Sequence, residues 1–404
     1  MRIGIDTRLV HYQRTGGIAQ YTLRLLHALL ALQADSSLTA QLALSKDAVE
    51  FVVLHHRNDA VASIVSPAQH HHIRAQRLFT PSHHRYEQWT LPLELMGKGI
   101  DVLHSPDFIP PMRRRCASVI TVHDLAFLLS PQLLTTESQA YYGQINQAVQ
   151  SAEQIIAVSH ATRDDLVRLL PVNADKITVI HEAAADLFRP ATAASLSQHT
   201  LTKFQLTQPF ALFVGTIEPR KNLQTLLRAF AQIADGRWQM AGEKNLQSTI
   251  YNLQLVIAGK RGWLSDDIDA LVNELRLNEQ VRFLGAVASE DLVGLYQAAR
   301  VFVLPSLYEG FGIPIVEAMA CGTPVIVSNV SSLPEVAGDA GLLFNPHEPR
   351  ELAAALRRVF EDDALHAELQ AKSLRRAQMF SWQRAAEETL QVYQKAFQLR
   401  RKHL

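Results

Sequence analysis

The stretch Ser306–Glu317, SLYEGFGIPIVE, follows the apolar run Val301–Leu304 and decides how the chain is read. Such a short apolar run, closed by Pro305-Ser306, reads as a buried strand of a parallel sheet. Gly310 and Gly312 free the backbone of a turn, and Pro314 suits the first turn of the helix that follows. Strand, glycine turn and helix are the repeating unit of doubly wound α/β sheets, in which ligands lie beyond the carboxyl ends of the strands. Glu309 falls in the turn and Glu317 is expected in the first turn of the helix, with seven residues between them. Carboxylates are strong acceptors for paired hydroxyls, so this arrangement suits a polyhydroxylated ligand. Complementarity to the helix dipole would explain Glu317 alone, at roughly 0.3–1 kcal/mol, but neither the glycines nor Glu309.

The same alternation runs outward in both directions. Strands are expected at Arg2–Ile5, Glu50–Leu54, Val102–His104, Ser118–Val122, Gln154–Val158 and Ile177–Ile180, then again at Phe210–Val214, Leu253–Ala258, Val281–Leu284, Val301–Leu304, Pro324–Val327 and Leu342–Phe344. Amphipathic helices are expected between them, among them Ile18–Leu32, Ala161–Leu170, Leu223–Ile233, Asp266–Leu275, Ser289–Ala298, Pro314–Ala320 and Pro349–Asp362. The pattern restarts after Phe188–Gln208, a segment rich in Ala, Ser and Thr without strand character. A chain of 404 residues exceeds one ordinary core. The division is therefore 1–188, a linker 189–208, a second domain 209–380, and a final helix within 381–404, with a cleft expected between the domains. Segments 35–47 and 235–249 read as loops.

Four other strand ends carry candidate residues. Gly16-Gly17 precede the first long helix, whose amide terminus favours an anion; no GxGxxG fingerprint is present. His123 ends a buried strand in Thr121-Val122-His123-Asp124. Gly215 opens Val214–Asn222, where Arg220 and Lys221 stand together at the start of the next helix. Two cations there oppose the helix dipole unless an anion sits with them, and a diphosphate would serve. Asn222 suits the cap of that helix. Gly285, after Val281–Leu284, offers backbone to a flat base.

Composition narrows the classes. Charged residues balance, with 39 basic and 39 acidic, so no global field draws the chain to nucleic acid. Cys116 and Cys321 are the two cysteines, too few and too far apart for a disulfide scaffold or thiolate metal site. The opening MRIGIDTRLV lacks the apolar core of a signal peptide, and no run of about 18 apolar residues occurs. A cytoplasmic protein is expected. Arg113-Arg114-Arg115 and the terminal QLRRKHL are basic clusters that suit peripheral contact with the inner face of the plasma membrane. His55-His56, His70-His71-His72 and His83-His84 resemble a metal inventory, but adjacent strand residues point to opposite faces and no metal is expected.

Together these motifs resemble glycosyltransferase family 4, retaining nucleotide-sugar transferases of GT-B architecture. The resemblance covers nearly the whole chain: Gly16-Gly17, His104-Ser105-Pro106, Val122-His123-Asp124, Val158–Thr162, Glu218–Asn222 and the Glu309…Glu317 pair. The last two are the specific ones. The resemblance implies two Rossmann-like domains facing across a cleft, and a final helix that crosses back onto the first. It implies that Glu317 holds the donor ribose and Glu309 the hydroxyls of the transferred sugar. The amides of Gly310, Phe311, Gly312 and Ile313 would contact sugar and phosphates, Gly215 would pack closely, and Arg220 and Lys221 would neutralise the diphosphate. Gly17 and His123 would reach the donor from the first domain. No cofactor is implied, the nucleotide sugar being a substrate, and no Asp-x-Asp ends a strand to hold a metal. The partners implied are a nucleotide-sugar donor and a glycan or lipid-linked glycan acceptor. Around His104-Ser105-Pro106 and Val122-His123-Asp124 the likeness is to mannosyltransferases of bacterial polysaccharide and lipopolysaccharide assembly that use GDP-mannose. A GT-B nucleotide-sugar epimerase and an NAD-linked oxidoreductase are the alternative readings, and the missing dinucleotide fingerprint opposes the latter.

Overall fold

The computed structural model describes residues 1–12, 16–34, 49–65, 73–129, 139, 141–191, 195–206, 209–234, 253–262 and 267–402. The expected loops at 35–47 and 235–249, Thr15 and the run His70–His72 lie outside the described residues. The chain divides into two compact units, Met1–Glu182 with Ser381–Leu404, and Ala183–Phe380.

In the first unit the strands are β1 Arg2–Asp6, β2 Glu50–His56, β3 Ile73–Leu78, β4 Val102–Ser105, β5 Ala117–Val122, β6 Gln154–Ala157 and β7 Ile177–Val179. All described pairings are parallel, in the order β3-β2-β1-β4-β5-β6-β7. Strands β5 and β6 are wholly buried, as their apolar runs demand when helices cover both faces. The edge strand β3 escapes the sequence reading because IRAQRL has no apolar run: Arg74, Ala75 and Arg77 face solvent. Charge on an edge of this kind discourages pairing with another chain.

The second unit repeats the design with β8 Phe210–Val214, β9 Gln254–Ala258, β10 Val281–Gly285, β11 Val301–Leu304, β12 Val325–Ser328 and β13 Gly341–Phe344, ordered β10-β9-β8-β11-β12-β13. In each sheet the strand order reverses once, between β1 and β4 and between β8 and β11. Those two points are where a crevice opens at the strand ends. The segment expected as a linker contains the helix Ser195–Phe204, which packs on Ser289–Ala298 through Lys203 and Asp291, 2.5 Å apart. Alanine, serine and threonine there signal a short helix rather than an unstructured connection.

The helix Trp382–Lys402 packs on the first unit, beside Gly17–Ala34 and over β5. Ala385, Ala386 and Ala396 keep the contact close, and Leu390 and Tyr393 enter a core shared with Leu25, Leu29 and Val53. Tyr393 also carries a polar joint into this core. Its hydroxyl meets His104 Nδ1 at 2.7 Å, and His104 Nε2 meets the Thr121 hydroxyl at 2.8 Å. Burial drives the His104 imidazole down to about 3, with neighbouring His123 pushing the same way, so the ring is neutral. Replacing Tyr393 by Phe strands one buried ring nitrogen. The Tyr393→Phe chain should lose about 1–3 kcal/mol in denaturant unfolding, with the loss confined to the transition of the first unit.

Candidate active site

In the second unit the site is built from the loops after β8 and β11, which meet at the reversal of the sheet. Glu218 is extended, Pro219–Lys221 form one tight helical turn, and Asn222 takes a left-handed conformation, φ 53°. Asparagine tolerates that region better than most side chains. Its amide donates to the carbonyls of Pro305 and Pro346, at 3.0 and 2.8 Å, while its side-chain oxygen accepts from Thr225 at 2.9 Å. Asn222 thus ties the ends of β11 and β13 to the start of the helix Leu223–Ala234. The Leu307 amide donates to the Arg220 carbonyl at 2.8 Å, a second tie between the loops.

Into this joint the sequence-nominated charges converge. Lys221 Nζ lies 2.5 Å from Glu309 Oε1, and Arg220 reaches Glu309 Oε2 at 3.0 Å. Ser306 donates its hydroxyl to Glu309 Oε1 at 2.6 Å. Arg220 also pairs with Glu218 at 2.9 Å and donates to the Tyr308 carbonyl at 3.0 Å. Glu309 is 7% exposed. Burial works to raise its carboxyl, but the charges of Lys221 and Arg220, with hydrogen bonds from Lys221 and Ser306, outweigh it and hold the group at about 2. The cations expected to meet a diphosphate and the carboxylate expected to meet sugar hydroxyls thus face one another in this structure. The anion that offsets the cations at the helix entrance comes from the neighbouring strand's own loop.

The rest of the loop is held by backbone. The Glu309 amide donates to Ser331 Oγ at 3.0 Å, and the Ser332 hydroxyl reaches the carbonyls of Glu309 and Phe311, both at 2.9 Å. The Phe311 ring is buried edge-on against Phe380, so only its backbone is left for a ligand. Gly312 has φ 100°, and a Cβ there would lie 3.1 Å from Ile315 and 3.2 Å from Leu333. That glycine is required twice, by conformation and by space. The helix begins at Ile313, which places Glu317 in its second turn rather than its first. The Tyr296 hydroxyl donates to Glu317 at 3.2 Å, so helix-dipole pairing is not what positions it.

Glycines end three adjacent strands. Gly215 follows β8, Gly259 follows β9 and Gly285 closes β10. A Cβ on Gly259 would stand 1.9 Å from the Gly215 carbonyl oxygen, and one on Gly262 would stand 2.8 Å from that of Ile217. Gly285, exposed with φ 68°, has open space where its Cβ would be. Gly259 and Gly262 were not singled out from sequence; the glycine following β9 in Ala258-Gly259 was the available signal.

In the first unit, Gly17 starts the helix Gly17–Ala34 with open space around its Cβ position. His123 follows β5, with Nδ1 3.1 Å from Glu182 and Nε2 3.0 Å from the Pro106 carbonyl. Burial lowers its basicity, but the Glu182 hydrogen bond and charge, aided by the Pro106 carbonyl, carry it above the ordinary value. Two acceptors on one ring are what the protonated form needs. The pocket beside the reversal of this sheet was missed in the sequence. Small and open to solvent, it is lined by Asp6, Glu87, Ser105, Asp107 and Tyr141 among others. Arg8, 1% exposed, pairs with both Asp6 and Glu87 at 2.6 Å, and His83 hydrogen-bonds Asp107. An aspartate and an arginine at the end of the first strand, Asp6-Thr7-Arg8, were the available sign.

The histidine pairs have local partners. His55 Nδ1 meets the His56 carbonyl at 3.0 Å, and the His56 ring stacks on His11 at 4.2 Å. Arg114 is not a surface cation: it turns inward to the Pro111 carbonyl at 3.0 Å and to Ser151, facing Glu153 at 3.5 Å. Arg400 folds onto the same Glu153 at 3.2 Å. Arg113 and Arg115 remain exposed. No described helix is long and apolar enough to cross a membrane.

Comparison with known proteins places this architecture. Residues 15–183 match the model of Glycosyltransferase Family 4, and residues 198–376 that of Glycosyl transferases group 1. The chain is 36% identical over 323 residues to O-antigen chain mannosyltransferase B of Escherichia coli, covering 80% of this chain and 79% of that one. It is 29% identical over 287 residues to serotype-specific mannosyltransferase WbdA of Escherichia coli, covering 70% of this chain but 34% of the relative. Sucrose-phosphate synthase from Thermosynechococcus elongatus shares the fold with a TM-score of 0.74 over 99% of this chain and 100% of that one, at 24% identity. Two all-parallel, once-reversed sheets, a charged joint at the reversal of the second and relatives spanning most of the chain converge on one conclusion: the protein is a glycosyltransferase of family 4, with the GT-B fold.

Proposed function

We propose that the chain transfers mannose from GDP-mannose to a glycan or lipid-linked glycan acceptor in the assembly of a bacterial surface polysaccharide, with retention at the anomeric carbon. The observation that carries this reading is the buried joint of Arg220, Lys221 and Glu309 at the sheet reversal. The mannose assignment leans on the mannosyltransferase relative at 36% identity.

A diphosphate leaving group gains negative charge as the glycosidic bond breaks. Arg220 and Lys221 are fixed cations that would take up that charge without reorganising, and the amides of Gly310, Gly312 and Ile313 would add to it. In this reading they do the electrostatic work without a metal. On donor binding, Lys221 and Arg220 turn from Glu309 toward the phosphates, and Glu309 is released to accept the sugar's hydroxyls. Glu317 receives the ribose hydroxyls. Gly215 and Gly259 form a floor of bare backbone that lets the nucleotide approach. His123, held by Glu182, contributes a charged ring to the first unit's strand ends. No side chain is assigned as a nucleophile; the acceptor attacks on the face from which the diphosphate departs, and the departing phosphate takes its proton. The chain acts as a cytoplasmic enzyme in peripheral contact with the membrane surface.

A panel of nucleotide sugars, followed by release of the nucleoside diphosphate, tests the donor assignment. GDP-mannose alone should support release; turnover with a UDP sugar instead would move the assignment to that donor. Glu309→Gln should lower transfer by about 10²-fold or more, the scale on which removing one preorganised polar group at a reacting centre acts. The same variant carries a pH signature. Glu309 is lowered from 4.5 to about 2 on folding, so its stabilising contribution is complete above pH 4.5 and is lost as the pH falls toward 2. The gap in melting temperature between the parent chain and Glu309→Gln should therefore be widest at neutral pH and close on acidification; a gap constant across that range would contradict the ion-pair geometry. Gly259→Ala forces a side chain against a backbone oxygen. It should cost about 1–3 kcal/mol or more in unfolding free energy and weaken donor binding in calorimetry.

A further inference from the structure

The short helix Glu87–Leu95 is apolar on two opposite faces. Its inner face sets Leu91 and Leu95 into a core with Leu54, Leu78 and Leu103, and Glu87 is ion-paired to Arg8. That accounts for one face. The other is a row of Tyr86, Trp89, Leu93 and Met96, which are 51%, 71%, 67% and 58% exposed. Steps of three, four and three draw one line down a helix. Phe79, 61% exposed at the end of β3, is drawn to this helix because its amide and that of Thr80 both donate to Glu94, each at 2.7 Å. Five of the twelve large apolar side chains exposed among the described residues thus fall between positions 79 and 96. Scattered exposed apolar residues are ordinary, but a contiguous group marks a surface that docks on something.

The surrounding charge is mostly basic. Arg74 and Arg77 are exposed on the edge strand β3, and Lys98 follows the helix within electrostatic reach of Glu94 and of Arg74. The Arg85 guanidinium lies 4.6 Å from the centre of the Tyr86 ring. Only two acids occur from Ile73 to Lys98, and both turn away from solvent-facing work: Glu87 to Arg8, and Glu94 to the amides of Phe79 and Thr80. An apolar partner protein would be met by the row alone; the cationic rim selects an anionic surface. Tryptophan and tyrosine sit well at headgroup depth, and long basic side chains reach lipid phosphates while their stems stay among apolar groups.

We propose that this face of the first unit seats on an anionic phospholipid bilayer. The row Tyr86, Trp89, Leu93 and Met96, with Phe79, enters the headgroup layer, and Arg74, Arg77, Arg85 and Lys98 lie over the lipid phosphates. The proposal deepens the peripheral contact inferred above, and assigns it to a surface other than the basic clusters conspicuous in the sequence, whose Arg114 and Arg400 turn inward.

Co-sedimentation of the full chain with vesicles tests it. Binding is expected to phosphatidylcholine vesicles containing phosphatidylglycerol, about tenfold or more above phosphatidylcholine alone, and to weaken with salt. The double variant Trp89→Ser/Leu93→Ser and the charge variant Arg74→Glu/Arg77→Glu should each lose that binding, while Arg113→Glu/Arg115→Glu should keep it. All these side chains are exposed, so circular dichroism and melting should be unchanged; the charge variant still tests the face if the apolar one misfolds. Binding undiminished in both variants overturns this face and leaves peripheral contact standing elsewhere. No binding to phosphatidylglycerol vesicles overturns both. Self-association of the parent chain that disappears in Trp89→Ser/Leu93→Ser also overturns the proposal, because it assigns the row to a second copy. Diphosphate release in the donor panel, run without vesicles, reports on sugar transfer separately.

Discussion

The second unit depends on Glu309 standing between Lys221 and Arg220. Two cations follow one another at the entrance of a helix, where the dipole disfavours positive charge. The carboxylate that meets both cations belongs to the loop of the adjacent strand, so meeting the electrostatic need also fixes two loops to each other. Removing Glu309 would leave the largely buried Lys221 without its carboxylate partner, which is far costlier than never having buried the pair. Asn222 extends the joint to the end of β13, and the Leu307 amide closes it on the backbone. The strand ends at the sheet reversal are therefore tied to one another through both backbone and side chain.

The first unit arranges its charges the other way. Arg8 is enclosed by Asp6 and Glu87, and the charged residues lining the pocket at the corresponding sheet reversal are the carboxylates Asp6, Glu87 and Asp107. One fold used twice thus presents a cation-bearing strand end in one unit and an acid-lined one in the other. The sheet topology fixes where a ligand can approach; the few residues just past β1, β4, β8 and β11 fix its chemistry.

Most of the architecture was legible in the sequence because parallel strands buried on both faces leave unbroken apolar runs. Val301–Leu304 and Phe210–Val214 are read directly from such runs, and Ser289–Ala298 from its periodicity. The edge strand β3 was not legible, since a strand exposed on one side needs no apolar run and gains from arginines. The helix Ser195–Phe204 hid in a composition that reads as linker. At the site, residue identities were legible and their pairing was not. Spacing along the chain nominated Arg220, Lys221, Glu309 and Glu317, but which carboxylate meets which cation depends on β8 and β11 being neighbours, a long-range fact. The roles of Asp6, Arg8 and Asp107 were illegible for the same reason: their partners Glu87 and His83 lie far along the chain and meet them only once the sheet is assembled.

The helix Trp382–Lys402 is the last described element in the chain, yet its Ala386, Leu390 and Tyr393 belong to the core of the first unit. A polypeptide emerges from its amino end, and domains generally close as units. Synthesis order and folding order must therefore diverge. The second unit is contained in one continuous segment and has all its strands in hand before residue 381 appears. The first unit, begun before the second, keeps an apolar face and His104 uncovered until Trp382–Lys402 arrives. The half made first is finished last, and the chain must carry an open seam past its own completed neighbour.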